Sequence, residues 1–221
     1  MQRGKFIVIE GMEGAGKSSA ISVVQAFLKQ QSIKFINTRE PGGTPLAEQL
    51  RTIVKAADHQ EIVTQETELF LMYASRSQLL KNRILPALAN GEWVIGDRHD
   101  LSSRAYQGGG RNISDKTLNA ISEVTLKGFK PDLTLYLDVS PEIGLSRARE
   151  RGELDRIELE QIDFFHRVRN KYCEIADADE SIITIDANQH MTKVHHDIEQ
   201  ALSSFFTQLS SSVNIEFCIN K

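Results

Sequence analysis

The segment Lys5-Phe-Ile-Val-Ile-Glu10, followed by Gly11-Met-Glu-Gly-Ala-Gly16-Lys17-Ser18, decides the fold of this chain. The first part is a short apolar run rich in β-branched residues, which is typical of a buried strand. The second part matches the pattern G-x-x-x-x-G-K-[ST], and apolar residues at helical spacing follow it over 18–31. Glycines let successive backbone N–H groups surround phosphate oxygens, and a helix N-terminus adds partial positive charge. The sequence therefore predicts a phosphate-binding loop between a first strand and a first helix.

Two side chains of this loop carry the chemistry of the pattern. Lys17 would reach the β- and γ-phosphates of a nucleotide triphosphate, and the Ser18 hydroxyl would ligate Mg²⁺. We predict nucleotide binding by eight consecutive residues: Gly11, Met12, Glu13, Gly14, Ala15, Gly16, Lys17 and Ser18. No D-x-x-G or N-K-x-D guanine motif is present, since Asn170-Lys171-Tyr172-Cys173 lacks the aspartate. A phosphotransferase acting on a small substrate is therefore favoured over a switch protein.

Strand-like and helical segments alternate along the chain, which implies βαβ units and a parallel sheet covered on both faces. Strands are predicted at 5–10, 33–38, 92–97, 133–138 and 181–186, and helices at 18–31, from about 44, and over 66–90, 114–127, 141–150, 159–177 and 191–209. We predict a single α/β domain over 1–210, of the P-loop NTPase type with three α/β/α layers. Its sheet would be five-stranded and mainly parallel, with a small arginine-bearing lid at about 147–158. The tail 211–221 would form either an extra edge strand or a frayed end.

The composition of the 221 residues excludes several classes of protein. With 40% hydrophobic and 25% charged residues the chain is typical of a globular protein, and no apolar run is long enough to span a membrane. A formal net charge of −4 argues against binding to nucleic acid. Two cysteines, Cys173 and Cys218, are too few for a disulfide framework. These features predict a protein of the reducing cytoplasm.

Four polar clusters follow the predicted strands, where open α/β sheets place their ligands. They are Thr38–Thr44, Asp97–Asp100, Ser102–Arg111 and Arg147–Arg156. Taken singly, each is explained by surface charge, a structural ion pair or a solvated helix end. Together, in a phosphate-binding fold, they suggest arginines that converge on a second phosphorylated ligand.

Five motifs in this order resemble bacterial thymidylate kinases. They are Ile9–Lys17, Thr38-Arg-Glu-Pro-Gly-Gly-Thr44, Gly96-Asp-Arg-His99, Ala105-Tyr-Gln-Gly108 and Arg149-Glu-Arg-Gly-Glu-Leu-Asp-Arg156. The similarity runs from about residue 4 to about 205. It implies the reaction ATP + dTMP → ADP + dTDP in dTTP biosynthesis, with Mg²⁺ as cofactor, and it implies a homodimer.

The resemblance also assigns residues to the phosphates and the metal. Arg98 matches the arginine that holds the 5′-phosphate of the acceptor, and Arg39 is a helper. Glu13 matches a carboxylate that contacts the 3′-hydroxyl or the metal region. Asp97 and Ser18 would stand near the magnesium ion and its waters.

A second group of positions would recognise the sugar and the base of dTMP. Arg76 is similar to an arginine that donates to a thymine carbonyl, and Ser103 and Gln107 match positions that read the polar edge of thymine. Tyr106 matches a tyrosine that crowds the 2′ position of the sugar. Met72 departs from the family, which often has a phenylalanine there that stacks on the base. Met72 and Arg76 nevertheless share a helix face, because they are four residues apart.

The predicted lid would complete the catalytic machinery. Some relatives place an arginine directly after the loop carboxylate, but this chain has Gly14 there. Members without that arginine carry basic residues in a mobile lid, and Arg149, Arg151 and Arg156 match that role. They would join the other residues that the resemblance makes catalytic: Glu13, Lys17 and Arg98. No general base is needed, since the acceptor phosphate oxygen is already ionised.

Two other functions remain open from the residues. A P-loop kinase for a nucleoside or an alcohol would need a base to take the hydroxyl proton, whereas Arg39 and Arg98 suit an acceptor that is already a phosphate. A nucleotide-dependent switch without phosphotransfer is disfavoured by the missing guanine motif. The dependence of ATP turnover on an added nucleoside monophosphate separates these functions.

Overall fold

The fold is built on a sheet of five parallel strands. A computed structural model describes residues 3–152 and 154–219, with the side chains of 151 and 212–219 outside the description. The strands are β1 (Phe6–Gly11), β2 (Phe35–Arg39), β3 (Trp93–Asp97), β4 (Leu133–Asp138) and β5 (Ile182–Asp186), in the order β2-β3-β1-β4-β5. Each lies where the sequence predicts a strand, and every pairing in the sheet is parallel. The predicted P-loop NTPase-type α/β fold is confirmed.

Helices cover both faces of the sheet. They are α1 (Lys17–Gln30), α2 (Pro45–Lys55), α3 (Gln65–Leu79), α4 (Leu85–Ala89), α5 (Asp100–Ser103), α6 (Asp115–Leu126), α7 (Pro141–Arg151), α8 (Ile162–Ala178) and α9 (Met191–Ile219). Two π-helical segments, Leu80–Ile84 and Arg104–Gly110, continue α3 and α5. The helix predicted over 66–90 is therefore one helical run of three parts. Within the described residues, no helix combines the length and the apolar character needed to cross a membrane.

β1 lies at the centre of the sheet and is buried on both faces. Ile7 and Ile9 belong to one apolar core, whereas Phe6 and Val8 belong to the core on the opposite face. This alternation follows from the period of two along a strand. Because β1 is central, the loop that follows Gly11 lies at the middle of the carboxyl edge of the sheet.

Two segments have structures that the sequence did not predict. The tail forms neither an edge strand nor a frayed end through residue 219, because α9 extends to Ile219. The residues Arg104–Gly110 contain three consecutive glycines, yet they form a π-helical turn packed on α8. Glycine is needed there, since a Cβ on Gly109 would lie 2.8 Å from the Arg167 carbonyl oxygen and one on Gly110 would lie 2.4 Å from the Phe164 ring.

Candidate active site

The phosphate-binding loop has the local structure that its glycines require. Gly16 precedes α1 with φ of 91°, and Gly14 has φ of 70°, both in the left-handed region that favours glycine. Lys17 Nζ donates to the carbonyl oxygens of Gly11 at 3.0 Å and Met12 at 2.9 Å. Burial, together with repulsion from Arg98, lowers the pKa of Lys17 to about 8. An anion bound at this loop would therefore stabilise the charged lysine.

A cavity of about 530 Å³ opens beside the loop at the carboxyl ends of β1, β2 and β3. Many predicted site residues line it: Glu13, Gly14, Gly16, Lys17, Ser18, Met72, Asp97, Arg98, Ser103, Tyr106 and Gln107. Gly11, Met12 and Ala15 are buried in the floor of the loop. Most of the residues predicted to bind the nucleotide and most of those predicted to bind the acceptor therefore line one cavity.

Arg98 lies at the centre of the cavity wall. Its Nη2 donates to Glu13 Oε1 at 2.7 Å, and the Tyr106 hydroxyl donates to Glu13 Oε2 at 2.5 Å. Burial alone would raise the pKa of Glu13, but the charges of Arg98 and Lys17 lower it below its usual value. Glu13 is therefore an anion that holds the guanidinium of Arg98 and the ring of Tyr106 in place.

A second buried carboxylate, Glu10, is linked to Arg98 through the hydroxyl of Ser102. Glu10 accepts hydrogen bonds from the backbone N–H of His99 at 2.7 Å, from Ser102 Oγ at 2.6 Å and from the Tyr172 hydroxyl at 3.0 Å. Burial raises the pKa of Glu10. Ser102 in turn accepts from Arg98 Nη1 at 3.1 Å. The sequence analysis did not assign Glu10 a role, although its place at the end of a buried apolar strand was a signal for one.

The predicted base-reading residues lie at the α3 side of the cavity. Ser103 and Gln107 line it with Met72, but Arg76 lies behind Ser103 and is 2% exposed. Arg76 donates to Glu40 at 2.7 Å, and to Ser103 Oγ and the His99 carbonyl oxygen at 3.0 Å each. In this conformation Arg76 therefore acts on the cavity through Ser103 and Glu40.

Arg39, predicted as a helper for the acceptor phosphate, is not among the described residues that line the cavity. Side chains alternate along β2, so while Glu40 faces the cavity, Arg39 points outward and binds Glu48 at 2.9 Å. Arg51 of α2, which the sequence analysis missed, lines the cavity instead. Burial and the charges of Arg39 and Arg98 lower the pKa of Arg51. An anion in the cavity would relieve this repulsion.

Two oxygen groups suit the predicted magnesium ion. Asp97 lines the cavity, and its Oδ1 is buried with no hydrogen-bond partner among the described residues. The exposed hydroxyl of Ser18 lines the same cavity. Mg²⁺ takes one or two protein oxygens together with water and substrate phosphates. The described residues hold no cluster of three or more metal-binding side chains.

Arg149 and Arg156 of the predicted lid do not line the cavity. Arg149 is exposed on α7, and the side chain of Arg151 lies outside the described residues. Arg156 turns away from the cavity and donates to Glu68 at 2.7 Å and to the Val54 carbonyl oxygen at 3.1 Å. Arg147, which was quoted in the arginine cluster but given no role, donates to the Gly14 carbonyl oxygen at 3.3 Å.

A smaller cavity of about 280 Å³ lies on the other side of the loop, between α1 and α9. Gly14, Gly16, Arg147, Ala187 and His195 are among the residues that line it. Arg147 bridges the phosphate-binding loop and the segment after β5, because it also donates to the Ala187 carbonyl oxygen at 3.2 Å. The two cavities therefore flank the phosphate-binding loop.

The fold and the site define a P-loop protein of the α/β class, with a cavity lined by Arg51 and Arg98 beside the loop. Residues 9–198 match the family model described as thymidylate kinase. The thymidylate kinase of Colwellia psychrerythraea is 69% identical over 207 residues, which cover 94% of this chain and 98% of that protein. The thymidylate kinase of Pseudoalteromonas translucida is 62% identical (92% and 98% covered), and that of Vibrio parahaemolyticus is 55% identical (94% and 100% covered). The chain belongs to the thymidylate kinase family.

Proposed function

We propose that the protein transfers the γ-phosphoryl group of ATP to dTMP, giving ADP and dTDP for dTTP synthesis. Membership of the thymidylate kinase family supports this activity. The observation that carries the proposal in this chain is the pair Arg51 and Arg98, which line one cavity together with Lys17 of the phosphate-binding loop. Two arginines beside a P-loop suit an acceptor that is already a phosphate.

The donor binds along the loop. Backbone N–H groups of Gly14–Lys17 and the Lys17 ammonium hold its phosphates, and the cavity near Arg147 and Ala187 takes the adenosine. Ser18 and Asp97 hold Mg²⁺, which neutralises charge on the phosphates when it is bound. Lys17 leaves the Gly11 and Met12 carbonyl oxygens to reach the β- and γ-phosphates.

The acceptor lies across the same cavity. Arg98 and Arg51 orient the 5′-phosphate of dTMP so that its oxygen faces the γ-phosphorus, while Glu13 and Tyr106 keep Arg98 in position and face the sugar. Ser103, Gln107 and Met72 face the base, and Arg76 acts on the base through Ser103. Since the attacking oxygen is already ionised, the residues supply positive charge and orientation rather than a general base.

The segment at about 147–158 acts as a lid. Its arginines, Arg149, Arg151 and Arg156, stabilise the migrating phosphoryl group once the segment closes, for which Arg156 must leave Glu68. Closure also excludes water that would hydrolyse ATP. Replacing each of them singly with Ala should lower kcat by about 10²-fold or more in at least one case. Normal turnover in all three variants would remove this part of the proposal.

Two features of the whole protein belong to the same proposal. The protein forms a homodimer in the cytoplasm, where its substrates occur. Phe70 on α3 is 59% exposed and Val124 on α6 is 76% exposed, and apolar side chains of this size are suited to an interface. Sedimentation equilibrium of the wild-type chain tests the dimer, with Phe70→Ser and Val124→Ser expected to shift it toward monomer.

The test of the activity is ADP release from ATP and Mg²⁺ in the presence of single acceptors. dTMP, dUMP, the ribose form of TMP, dCMP, AMP and thymidine are offered in parallel. We expect strong turnover with dTMP, weaker turnover with dUMP and little with the ribose form. Turnover with thymidine alone, or ATP loss that does not depend on any acceptor, would refute the proposal.

A further inference from the structure

Glu68, a buried carboxylate outside the cavity, binds the side chain of Gln107, which lines the cavity. Glu68 of α3 is 1% exposed, and its Oε1 accepts a hydrogen bond of 2.8 Å from Gln107 Nε2. Its Oε2 accepts from Arg111 Nη2 at 3.0 Å and from Arg156 at 2.7 Å, and Arg111 Nε also donates to Oε1 at 3.3 Å. Glu68 is not among the described residues that line the cavity, whereas Gln107 is. Glu68 therefore contacts the cavity only through Gln107.

The charge of Glu68 decides which way the Gln107 amide faces. Burial alone would raise the pKa of Glu68, but its hydrogen bonds and ion pair with Arg111, together with bonds from Gln107 and Arg156, lower the pKa below its usual value. An ionised carboxylate accepts hydrogen bonds and donates none. The NH₂ group of Gln107 must therefore turn toward Glu68.

The carbonyl oxygen of the Gln107 amide is left for the ligand. Gln107 is 0% exposed, and its Oε1 is buried with no hydrogen-bond partner among the described residues. A buried carbonyl oxygen without a partner is unfavourable unless a donor arrives. Because Nε2 is held by Glu68, the carbonyl oxygen is the polar atom that Gln107 offers to the cavity.

The geometry points to Glu68 as a positioning residue that sets which pyrimidine bases the cavity accepts. This inference rests on the proposed function, since it assumes that the base of a nucleoside monophosphate lies against Gln107. Thymine and uracil carry an N3–H donor, whereas cytosine carries an unprotonated N3 acceptor. A carbonyl fixed by Glu68 binds the N3–H of thymine and uracil and repels the N3 lone pair of cytosine.

The variant Glu68→Gln tests this role because it should reverse the orientation of the Gln107 amide. Arg111 and Arg156 can only donate, and they make two bonds to Oε2, of 3.0 and 2.7 Å, against one of 3.3 Å from Arg111 to Oε1, so they favour the carbonyl oxygen of the new side chain on the Oε2 side. Its NH₂ group then faces Gln107, which must turn its own carbonyl toward residue 68 and its NH₂ toward the substrate. We expect the ratio of kcat/KM for dTMP to that for dCMP to fall by on the order of 10²-fold. The ratio for dTMP to dUMP should not change, because both bases carry N3–H.

Two controls separate positioning from general damage. The ratio of two kcat/KM values does not depend on the fraction of active enzyme, so partial misfolding cannot imitate the effect. Glu160→Gln changes another carboxylate bound to Arg111, at 2.5 Å, and should leave the dTMP to dCMP ratio at the wild-type value. In a Gln107→Met background, Glu68→Gln should no longer alter that ratio.

Glu68→Asp provides a second variant, which keeps the buried negative charge if Glu68→Gln does not fold. Its shorter side chain retains the arginines but releases Gln107, so we expect a smaller fall of the dTMP to dCMP ratio in the same direction. An unchanged ratio in the folded Glu68 variants would overturn the positioning role while leaving the proposed function intact. Absence of dTMP phosphorylation by the wild-type chain would instead refute the proposed function.

Discussion

The guanidinium of Arg98 binds the carboxylate of Glu13 at 2.7 Å and thereby ties the end of β3 to the phosphate-binding loop. Arg98 has φ of 70°, an uncommon value for a residue with a side chain, and Ser102 and Tyr106 also accept hydrogen bonds from its side chain. An arginine held on several sides loses little freedom when it binds a phosphate. Arg98 is thus prepared for an anion before the anion arrives.

Replacement of Arg98 should therefore impair the acceptor reaction strongly. We expect Arg98→Ala to lower kcat/KM for dTMP by about 10²-fold or more. Arg98→Lys should rescue little of it, because an ammonium is a point charge without the planar fork that binds a phosphate at two positions. Steady-state kinetics with varied dTMP measure the effect. Arg39→Ala is the matched control: it removes an arginine whose side chain is 54% exposed and bound to Glu48, and it should change kcat/KM little. Equal losses in the two variants would contradict the placement of the acceptor phosphate.

The ion pairs of Arg76 should contribute to the stability of the protein. Its guanidinium is 2% exposed and lies between the buried carboxylates of Glu40 and Asp100. Arg76→Met removes the guanidinium from the buried Glu40, whereas Asp100 keeps its ion pair with Arg104 at 2.8 Å. The loss at Glu40 should lower the free energy of unfolding by about 3–5 kcal/mol at pH 7. Arg39→Met breaks an exposed ion pair and should cost less than about 1 kcal/mol. Urea unfolding of both variants checks the difference.

The pH dependence of the Arg76→Met effect has a definite sign. Arg76 lowers the pKa of Glu40 and of Asp100 although burial by itself would raise both. The stability that these groups contribute is therefore present above their usual pKa values and is lost as the pH falls through the folded values. In Arg76→Met, protonation of Glu40 removes a buried negative charge that has lost its guanidinium, and it therefore stabilises the folded variant. The difference between wild type and variant should accordingly shrink as the pH falls from 7 toward 4.5, and a difference that grows on acidification would contradict the argument.

The sheet and the phosphate-binding loop could be predicted because local chemistry determines them. The apolar run Phe6–Ile9 and the glycines after it specify strand, loop and helix without help from distant residues, and Thr44 with Pro45 begins α2 as a side-chain cap and a proline at the first turn. For the residues Val213–Ile219 the sequence left an edge strand and a frayed end open, but they continue α9. A helix already formed propagates more easily than a new element begins.

The partners of the site arginines could not be predicted, because they depend on contacts between distant segments. The choice between Arg39 and Arg51 depends on which side of β2 faces the cavity, and this is set by the pairing of β2 with β3. Glu68 lies 39 residues from Gln107 in sequence. Its helical position gave no signal of a polar role, since an acidic residue near a helix N-terminus is ordinarily explained by the helix dipole.

Lys17 should take up protons when ATP binds. Its pKa is lowered to about 8 in the ligand-free protein, so about half of the side chains are uncharged at pH 8. Phosphate oxygens stabilise the charged form and raise this pKa, so binding of Mg·ATP at pH 8 should take up about half a proton from the buffer. Calorimetric titration in two buffers with different heats of ionisation measures the uptake. Lys17→Met is the control and should show none of it, whereas equal uptake by both proteins would exclude Lys17 as its source.

The last prediction concerns Gly144, where α7 touches the phosphate-binding loop. A Cβ on Gly144 would lie 2.6 Å from the Glu13 carbonyl oxygen, and one on Gly14 would lie 2.0 Å from the Gly144 carbonyl oxygen. Helix propensity predicts that Gly144→Ala stabilises the protein by about 1 kcal/mol, since Gly144 lies inside α7. Packing predicts the opposite, because a backbone oxygen at that distance cannot move without moving the loop. We expect packing to prevail, so that Gly144→Ala lowers Tm and weakens ATP binding, while Ser146→Ala on the exposed side of α7 changes neither. A higher Tm with unchanged ATP affinity would show that α7 and the loop move independently. The arginines of the segment at about 147–158 would then have to act without support from this contact.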